Sequence, residues 1–419
     1  MVARFNPFRP NNMAGPGMFV GRVDELKIID QCLFQAKNGN PQHFLVQGER
    51  GIGKSSLLFY VEYLARGELT AFTENTYKFL VVSIDLGGCT TQFEIIRKLG
   101  RGLRQALADH NEAKEKAKEF FNWLLNWEVL GVKFHKQDVD LDAEQVADDL
   151  VSQFTNFCKQ THGLLDGILI LIDEADRPGE EAGLGAFLKA LAERLTRRNC
   201  NNVLFGLAGL PTLLGKLRNS HESSPRLFET MLLEPLEVAE REEVIRACLK
   251  QAKEKNGFET KITQDGMNFL VELSEGYPHF VHQFGYSAFE QDTDNEIDED
   301  DVGEGAFKDG GALTQLGDKF FNEMYHARIS SEDYRRVLDA MAEHGDRWVA
   351  RKTIIAESGV SETNVNNALL TLKAKEIILQ DETRRGFYRL PTNSFAAWIN
   401  AIRAARAKSD ALHGEGFAG

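Results

Sequence analysis

No run of apolar residues in this 419-residue chain approaches the ~18–20 needed to cross a bilayer as a helix, so no helical membrane span is expected. The first ten residues, Met1 to Pro10, carry Arg, Asn and Pro where a secretory leader would carry an apolar stretch, so no such leader is expected. Cysteine is scarce and scattered: Cys32, Cys89, Cys158, Cys200 and Cys248 are odd in number and form no C-x-x-C pair. That argues against a disulfide frame or a zinc site and fits reduced thiols in a cytoplasmic protein. Positive charge is in deficit, with 49 Lys and Arg against 63 Asp and Glu and a net charge of −14. A protein whose main task is to coat nucleic acid carries a basic face, and the acidic total weighs against that class without forbidding a local basic patch. The remaining composition, 42% hydrophobic and 27% charged, belongs to an ordinary soluble chain, and its length favours two or three domains.

One stretch organises the rest. His43-Phe44-Leu45-Val46-Gln47 reads as a short buried strand, and Ser56 to Leu64 reads as an amphipathic helix. Between them lies Gly48-Glu49-Arg50-Gly51-Ile52-Gly53-Lys54-Ser55-Ser56. Strand, Gly-rich loop and helix form the context of a phosphate-binding P-loop. Its glycines let backbone N–H groups face phosphate oxygens, and the helix N-terminus adds partial positive charge. Lys54 is placed to reach the β- and γ-phosphates of ATP, and the Ser55 hydroxyl to bind Mg²⁺. The second half of such a site is an acid at the end of another strand. Gly167 to Ile172 is an apolar run typical of a parallel strand covered on both faces, and Asp173-Glu174-Ala175-Asp176 follows it. Asp173 is expected to hold Mg²⁺ through water and Glu174 to polarise the attacking water.

Upstream, Phe19-Val20-Gly21-Arg22-Val23-Asp24-Glu25 runs into a helix some 25 residues before the loop. This resembles the opening of AAA+ and STAND-type ATPases, in which the turn packs against adenine; by that resemblance Phe19 and Val20 are base contacts. Further strands are expected at Lys78–Leu86, Asn202–Leu207 and Thr230–Leu236. Gly206-Leu207-Ala208-Gly209 carries no polar residue where the family has a sensor, which puts efficient hydrolysis in doubt. Arg226 precedes the last strand, where an Arg of the family can reach a neighbouring subunit's γ-phosphate; Arg197 and Arg198 are its rivals. Gly276-Tyr277-Pro278-His279 resembles the Gly-x-Pro turn of STAND and origin-initiator-type ATPases, where Pro278 and the next helix close over the base. No Arg stands at the second-sensor place, and His279 or His282 is the nearest polar substitute. Within 111–142, Phe120, Phe121, Trp123 and Trp127 form an aromatic cluster that either meets a partner or packs on its own domain.

From Ser331 the pattern gives two helices, a third at Ser361–Lys373 and a hairpin at Ile377–Gln380 and Gly386–Leu390, which together resemble a winged helix. The chain is thus expected to be α/β: a P-loop NTPase parallel sheet with helices on both faces, followed by a helical lid and a winged-helix domain. The expected divisions are an irregular arm at 1–18, the nucleotide core at 19–236 with its insertion at 111–142, a lid at 237–312, a winged helix at 313–400 and a loose tail at 401–419. The resemblance, to the origin-initiator-like branch of these ATPases, spans about 19–400. It implies ATP and Mg²⁺ as ligands, hydrolysis to ADP and phosphate, and a nucleotide-dependent homo-oligomer. Two uses of that cycle follow. One is a DNA-associated ATPase that holds duplex DNA through Asn364, Asn366, Lys373, Arg384 and Arg385. The other is a nucleotide-gated signalling or defence switch with little hydrolysis, no DNA, and a separate partner protein.

Overall fold

The computed structural model describes residues 4–70, 75–125, 143–375, 377–381 and 384–414. The chain forms two units, one of Asn11–Leu236 and the other of Met1–Pro10 with Glu237–Gly419.

The first unit is built on a five-stranded sheet: β1 (His43–Gln47), β2 (Phe79–Asp85), β3 (Gly167–Asp173), β4 (Val203–Gly209) and β5 (Phe228–Leu232). All neighbours pair in parallel, in the order β2-β3-β4-β1-β5. β1 and β4 are buried along their whole length, as a sheet covered by helices on both faces demands. The helices are α1 (Val23–Lys37), α2 (Lys54–Arg66), α3 (Gln92–Asp109), α4 (Asn111–Lys116), α5 (Ala143–Gln160), α6 (Leu184–Arg197) and α7 (Leu213–Ser220). β5 starts and ends earlier than the expected Thr230–Leu236; Pro235 has no N–H to give a ladder, so pairing stops at Leu232. The register sets Asp85 opposite Asp173 and Gln47 opposite both Gly209 and Leu232, so the acids and the loop leave from the same, carboxyl edge of the sheet.

Phe120 and Leu124 are fully buried, and Phe120 packs edge-on against Phe154 and Phe157 of α5. This part of the aromatic cluster therefore serves its own domain. Trp127 lies outside the described residues.

The second unit is mainly helical: α8 (Val238–Asn256), α9 (Gln264–Ser274), α10 (Pro278–Gln291), α11 (Glu299–Phe307) and α12 (Ala312–Leu316). The acidic run at 292–301 is structured. The buried Asp292 carboxylate accepts the N–H groups of Asp294, Asn295 and Glu296, and Asp298 caps α11 in a capping box with Asp301. α12 is followed by two π-turns, Gly317–Phe321 and Glu323–Ala327. Beyond come α13 (Glu332–Ala342), α14 (Arg351–Ser358), α15 (Glu362–Ala374) and α16 (Asn393–Gly414). The expected hairpin strands are Leu379–Gln380 and Phe387–Arg389, and a two-residue strand, Val349–Ala350, joins them in an antiparallel sheet.

Candidate nucleotide-binding site

The loop at 48–53 takes its shape from residues only glycine suits: Gly51 and Gly53 have φ of 80° and 101°. It delivers the chain into α2, whose first turn carries no acidic residue and no side-chain cap. By contrast α3 and α11 begin with acids and full capping boxes. The N-terminal N–H groups of α2 are thus left facing outward with the positive end of the helix dipole, a ready anion site. Lys54 Nζ donates to the carbonyls of Gly48 and Glu49, at 2.8 Å each. Phosphate oxygens would compete for those same donors. Burial pushes the Lys54 pKa below its ordinary value, and the charges of Asp173 and then Asp176 oppose that shift.

Ser55 Oγ donates to Asp173 Oδ2 at 2.5 Å. The hydroxyl at the start of α2 and the acid at the end of β3, 118 residues apart in sequence, therefore share one point. A hydroxyl and a carboxylate converging there are the hard oxygen donors that Mg²⁺ takes, so the residues fit that ion. Glu174 follows in a left-handed conformation, φ 48°, and its carboxylate pairs with Arg177 at 3.3 Å. Its Oε2 and Asp85 Oδ1 flank Gly87, 2.6 and 2.8 Å from where a Cβ would stand.

Phe19 and Val20 are half-buried, and the Phe19 ring lies 5.0 Å from that of Tyr60 on α2. Arg22, buried and left-handed with φ 59°, donates to the Ile52 carbonyl at 3.2 Å and so pins the turn at 19–22 to the phosphate loop. Ser56 Oγ accepts the Ala14 N–H. Arg226 sits in a 3-10 turn, Ser224–Leu227, exposed, and its guanidinium has no hydrogen-bond or ion-pair partner among the described residues. Arg198 is bonded to Ser152.

Asp176 was not singled out in the sequence. It is buried, and its Oδ1 accepts the Leu210 N–H at 2.9 Å. A Cβ on Gly209 would lie 2.7 Å from that oxygen. The small residue at the sensor position is thus the room Asp176 needs. The only sequence signal was an acid two places beyond Glu174.

In the second unit Pro278 opens α10. Of the two histidines considered as polar substitutes, His282 is buried and its Nδ1 accepts the Arg9 N–H. His279 Nε2 is buried with no partner among the described residues. Burial pushes both rings down to about 4.

Residues 18–205 match the AAA ATPase domain family. An uncharacterized HTH-type transcriptional regulator of Methanocaldococcus jannaschii is 26% identical over 288 residues, which are 66% of this chain. The match spans 65% of that protein's own length. Among solved structures, a Walker-type ATPase of Pyrococcus abyssi superposes with a TM-score of 0.58 at 18% identity, covering 91% of this chain and 96% of that one. The ORC2 protein of Aeropyrum pernix, solved with ADPNP and ADP, superposes with a TM-score of 0.55 at 14% identity, covering 96% and 98%. At these identities the likeness is one of fold.

Proposed function

We propose that this protein, whose residues 18–205 match the AAA ATPase domain family, binds ATP with Mg²⁺ at the loop 48–56 and hydrolyses it to ADP and phosphate, and that the cycle drives a conformational or assembly switch. The observation that carries this is the 2.5 Å contact between Ser55 and Asp173, which joins the two halves of a phosphate–metal site. Gly48, Glu49, Arg50, Gly51, Ile52 and Gly53 wrap the phosphates with backbone N–H groups, and Ser56 closes the first turn. Lys54 transfers its hydrogen bonds from the loop carbonyls to the β/γ oxygens. Ser55 and Asp173 would hold Mg²⁺, whose charge neutralises the phosphates. Glu174 orients the water for in-line attack, and Phe19 and Val20 border the base. Arg226, exposed and with no side-chain partner among the described residues, is offered to the γ-phosphate of a neighbouring copy, so a nucleotide-dependent homo-oligomer belongs to the reading.

The test is Glu174→Gln. It should keep ATP affinity while turnover falls by about two to four orders of magnitude, as loss of a general base does. Unchanged phosphate release sinks the role of Glu174.

For the helices and short sheet at 332–389 we favour a winged helix that contacts a partner protein over one that reads duplex DNA. The HTH description of the Methanocaldococcus relative supports the helix-turn-helix part of that reading. Four of the five candidate groups at the reading helix α15 and its hairpin are spent inside the module, Asn364 on Asp333, Asn366 on Arg351, Lys373 on Gln380 and Arg384 on Asp381, while the fifth, Arg385, is exposed. At its middle α15 exposes Asn367 and Leu370, the latter 68% accessible. An apolar residue there suits a protein surface better than phosphates.

A further inference from the structure

Two of the scattered cysteines meet in the fold of the first unit. Cys158 lies in the last turn of α5, and Cys200 lies between α6 and β4. Both pack on the core cluster that β3, β4, α5 and α6 share, Cys158 half-buried and Cys200 buried. Their side chains are hydrogen-bonded to each other, and Cys200 also bonds the Thr155 side chain. Thr155 and Cys158 stand three residues apart on one face of α5, so a single sulfur can touch both. Neither thiol is in a disulfide. Beside the pair opens a cavity of about 600 Å³, lined by Lys37, Lys78, Cys158, Thr161, His162 and Asn202 among others. Its amine, imidazole and amide groups suit water and small polar solutes, which gives them a way to the half-buried sulfur. The Asn202 carbonyl accepts the Ile168 N–H at 2.8 Å, where β3 begins. The pair therefore sits at the amino edge of the sheet, the edge opposite Asp173.

We propose that Cys158 and Cys200 are a redox-sensitive dithiol, which hydrogen peroxide entering this cavity converts into a disulfide that staples α5 to the start of β4. The Cys200 thiol is held below its ordinary pKa, chiefly by the hydrogen bond from Cys158, against the opposing effect of burial; the Asn202 N–H and the Lys159 charge add to the lowering. The same bond, then burial, pushes Cys158 up. One proton thus leaves the pair well before the other, and the proton that stays is shared between the two sulfurs. As it passes to Cys200, the Cys158 thiolate attacks the peroxide. An S–O bond forms, the O–O bond breaks, and the hydroxide that leaves takes up a proton as water. The Cys200 sulfur then attacks the sulfur of this sulfenic acid. The S–S bond forms, the S–O bond breaks, and a second water leaves with the shared proton. Two thiols and one peroxide become one disulfide and two waters. Burial pushes the Cys32 and Cys248 thiols up to about 12, so those two stay inert. The disulfide closes the loop 159–199, which contains β3 and α6, and so removes freedom from the unfolded chain.

The experiment treats the full chain with hydrogen peroxide, unfolds it, blocks the remaining thiols with N-ethylmaleimide and maps the unreduced peptides by mass spectrometry. A peptide pair linked through Cys158 and Cys200 should appear, lighter by two hydrogen atoms than the two reduced peptides together, while Cys32 and Cys248 still take the blocking agent. Dithiothreitol should return the unlinked peptides. The oxidised chain should melt about 5 °C or more above the reduced one, the scale of one cross-link over a loop of this length. In Cys158→Ser, a change at a half-buried site, the linked pair and the rise in melting temperature should both vanish. If that variant fails to fold, wild type with and without dithiothreitol carries the test. Peroxide-treated wild type in which both cysteines still take the blocking agent, or in which Cys158 ends as a sulfinic acid beside a free Cys200, overturns the proposal. A linked pair that forms without raising the melting temperature overturns the staple. Neither readout uses nucleotide, so the result stands apart from the reading of 48–56.

Discussion

The phosphate loop and the reading helix α15 differ in what they leave unbonded. α2 begins without side-chain cap or acid, and Arg226 is exposed with no partner among the described residues. Around α15, Asn364, Asn366, Lys373 and Arg384 are tied up within the module, and of the groups that suggested a nucleic-acid reader Arg385 is the one exposed without such a bond among the described residues. A donor already satisfied gains little from a new partner of equal strength, because one hydrogen bond replaces another. Counting polar residues in a sequence therefore overstates a binding surface, and the measure is how many remain to be satisfied.

The sharpest test of the loop side of this contrast is Arg226. If it acts between copies, Arg226→Ala should lower kcat by about a thousandfold at unchanged ATP affinity, the scale of an arginine finger. Mixing it with Lys54→Ala subunits should restore part of the activity, since each supplies what the other lacks. Specific activity independent of concentration, with a monomer in ATP, refutes the role.

A smaller effect concerns α10 and the arm. His282 is held neutral, its pKa pushed down from 6.5 to about 4 by burial and then by Arg9, while in the unfolded chain it titrates near 6.5. Between those values the unfolded state binds a proton the native state refuses. The stability from this group is present in full above pH 6.5 and is lost as pH falls towards 4, by about 3 kcal/mol. His282→Asn, which keeps an acceptor for the Arg9 N–H, should remove that part of the acid loss. Melting curves of variant and wild type that fall in parallel from pH 7 to 4 would contradict it. His43, buried on β1 between Phe205 and Phe228 and also lowered to about 4, acts in the same direction and is the control.

The smallest expected effect is on the α15 side. Affinity for duplex DNA should change by less than about tenfold between 50 and 200 mM salt, far below the loss that six or more phosphate contacts produce. A steep salt dependence would return α15 to the DNA readers. Leu370→Glu should abolish partner capture and leave ATP turnover unchanged.

The loop, Asp173 and Glu174 were legible because their chemistry is written in local spacing: a strand, a fixed run of glycines and a helix, then an apolar strand ending in acids. The five parallel strands were legible for the same reason, each being a short apolar run. Asp176 was not, since its role comes from burial against the Leu210 N–H and from lying near Lys54. The arm was not, because its Pro and Asn content signals irregular backbone and says nothing of the Asp292 carboxylate that Arg4 meets, 288 residues away. Val349–Ala350 is too short to show a period, and it exists as a strand only because Phe387–Tyr388 lie beside it.

The central claim is that Ser55 and Asp173 meet because together they serve a nucleotide that Lys54 holds and Glu174 cleaves. Phosphate release from ATP by the purified chain, with Mg²⁺ and with the metal chelated, beside Lys54→Ala, tests it most directly. Steady release that needs Mg²⁺ and vanishes in a folded Lys54→Ala protein, whose ATP affinity falls about a hundredfold with loss of its charge-assisted bonds, is the predicted result. Release that survives Lys54→Ala, or a wild-type protein that neither binds nor cleaves ATP in Mg²⁺, would contradict it.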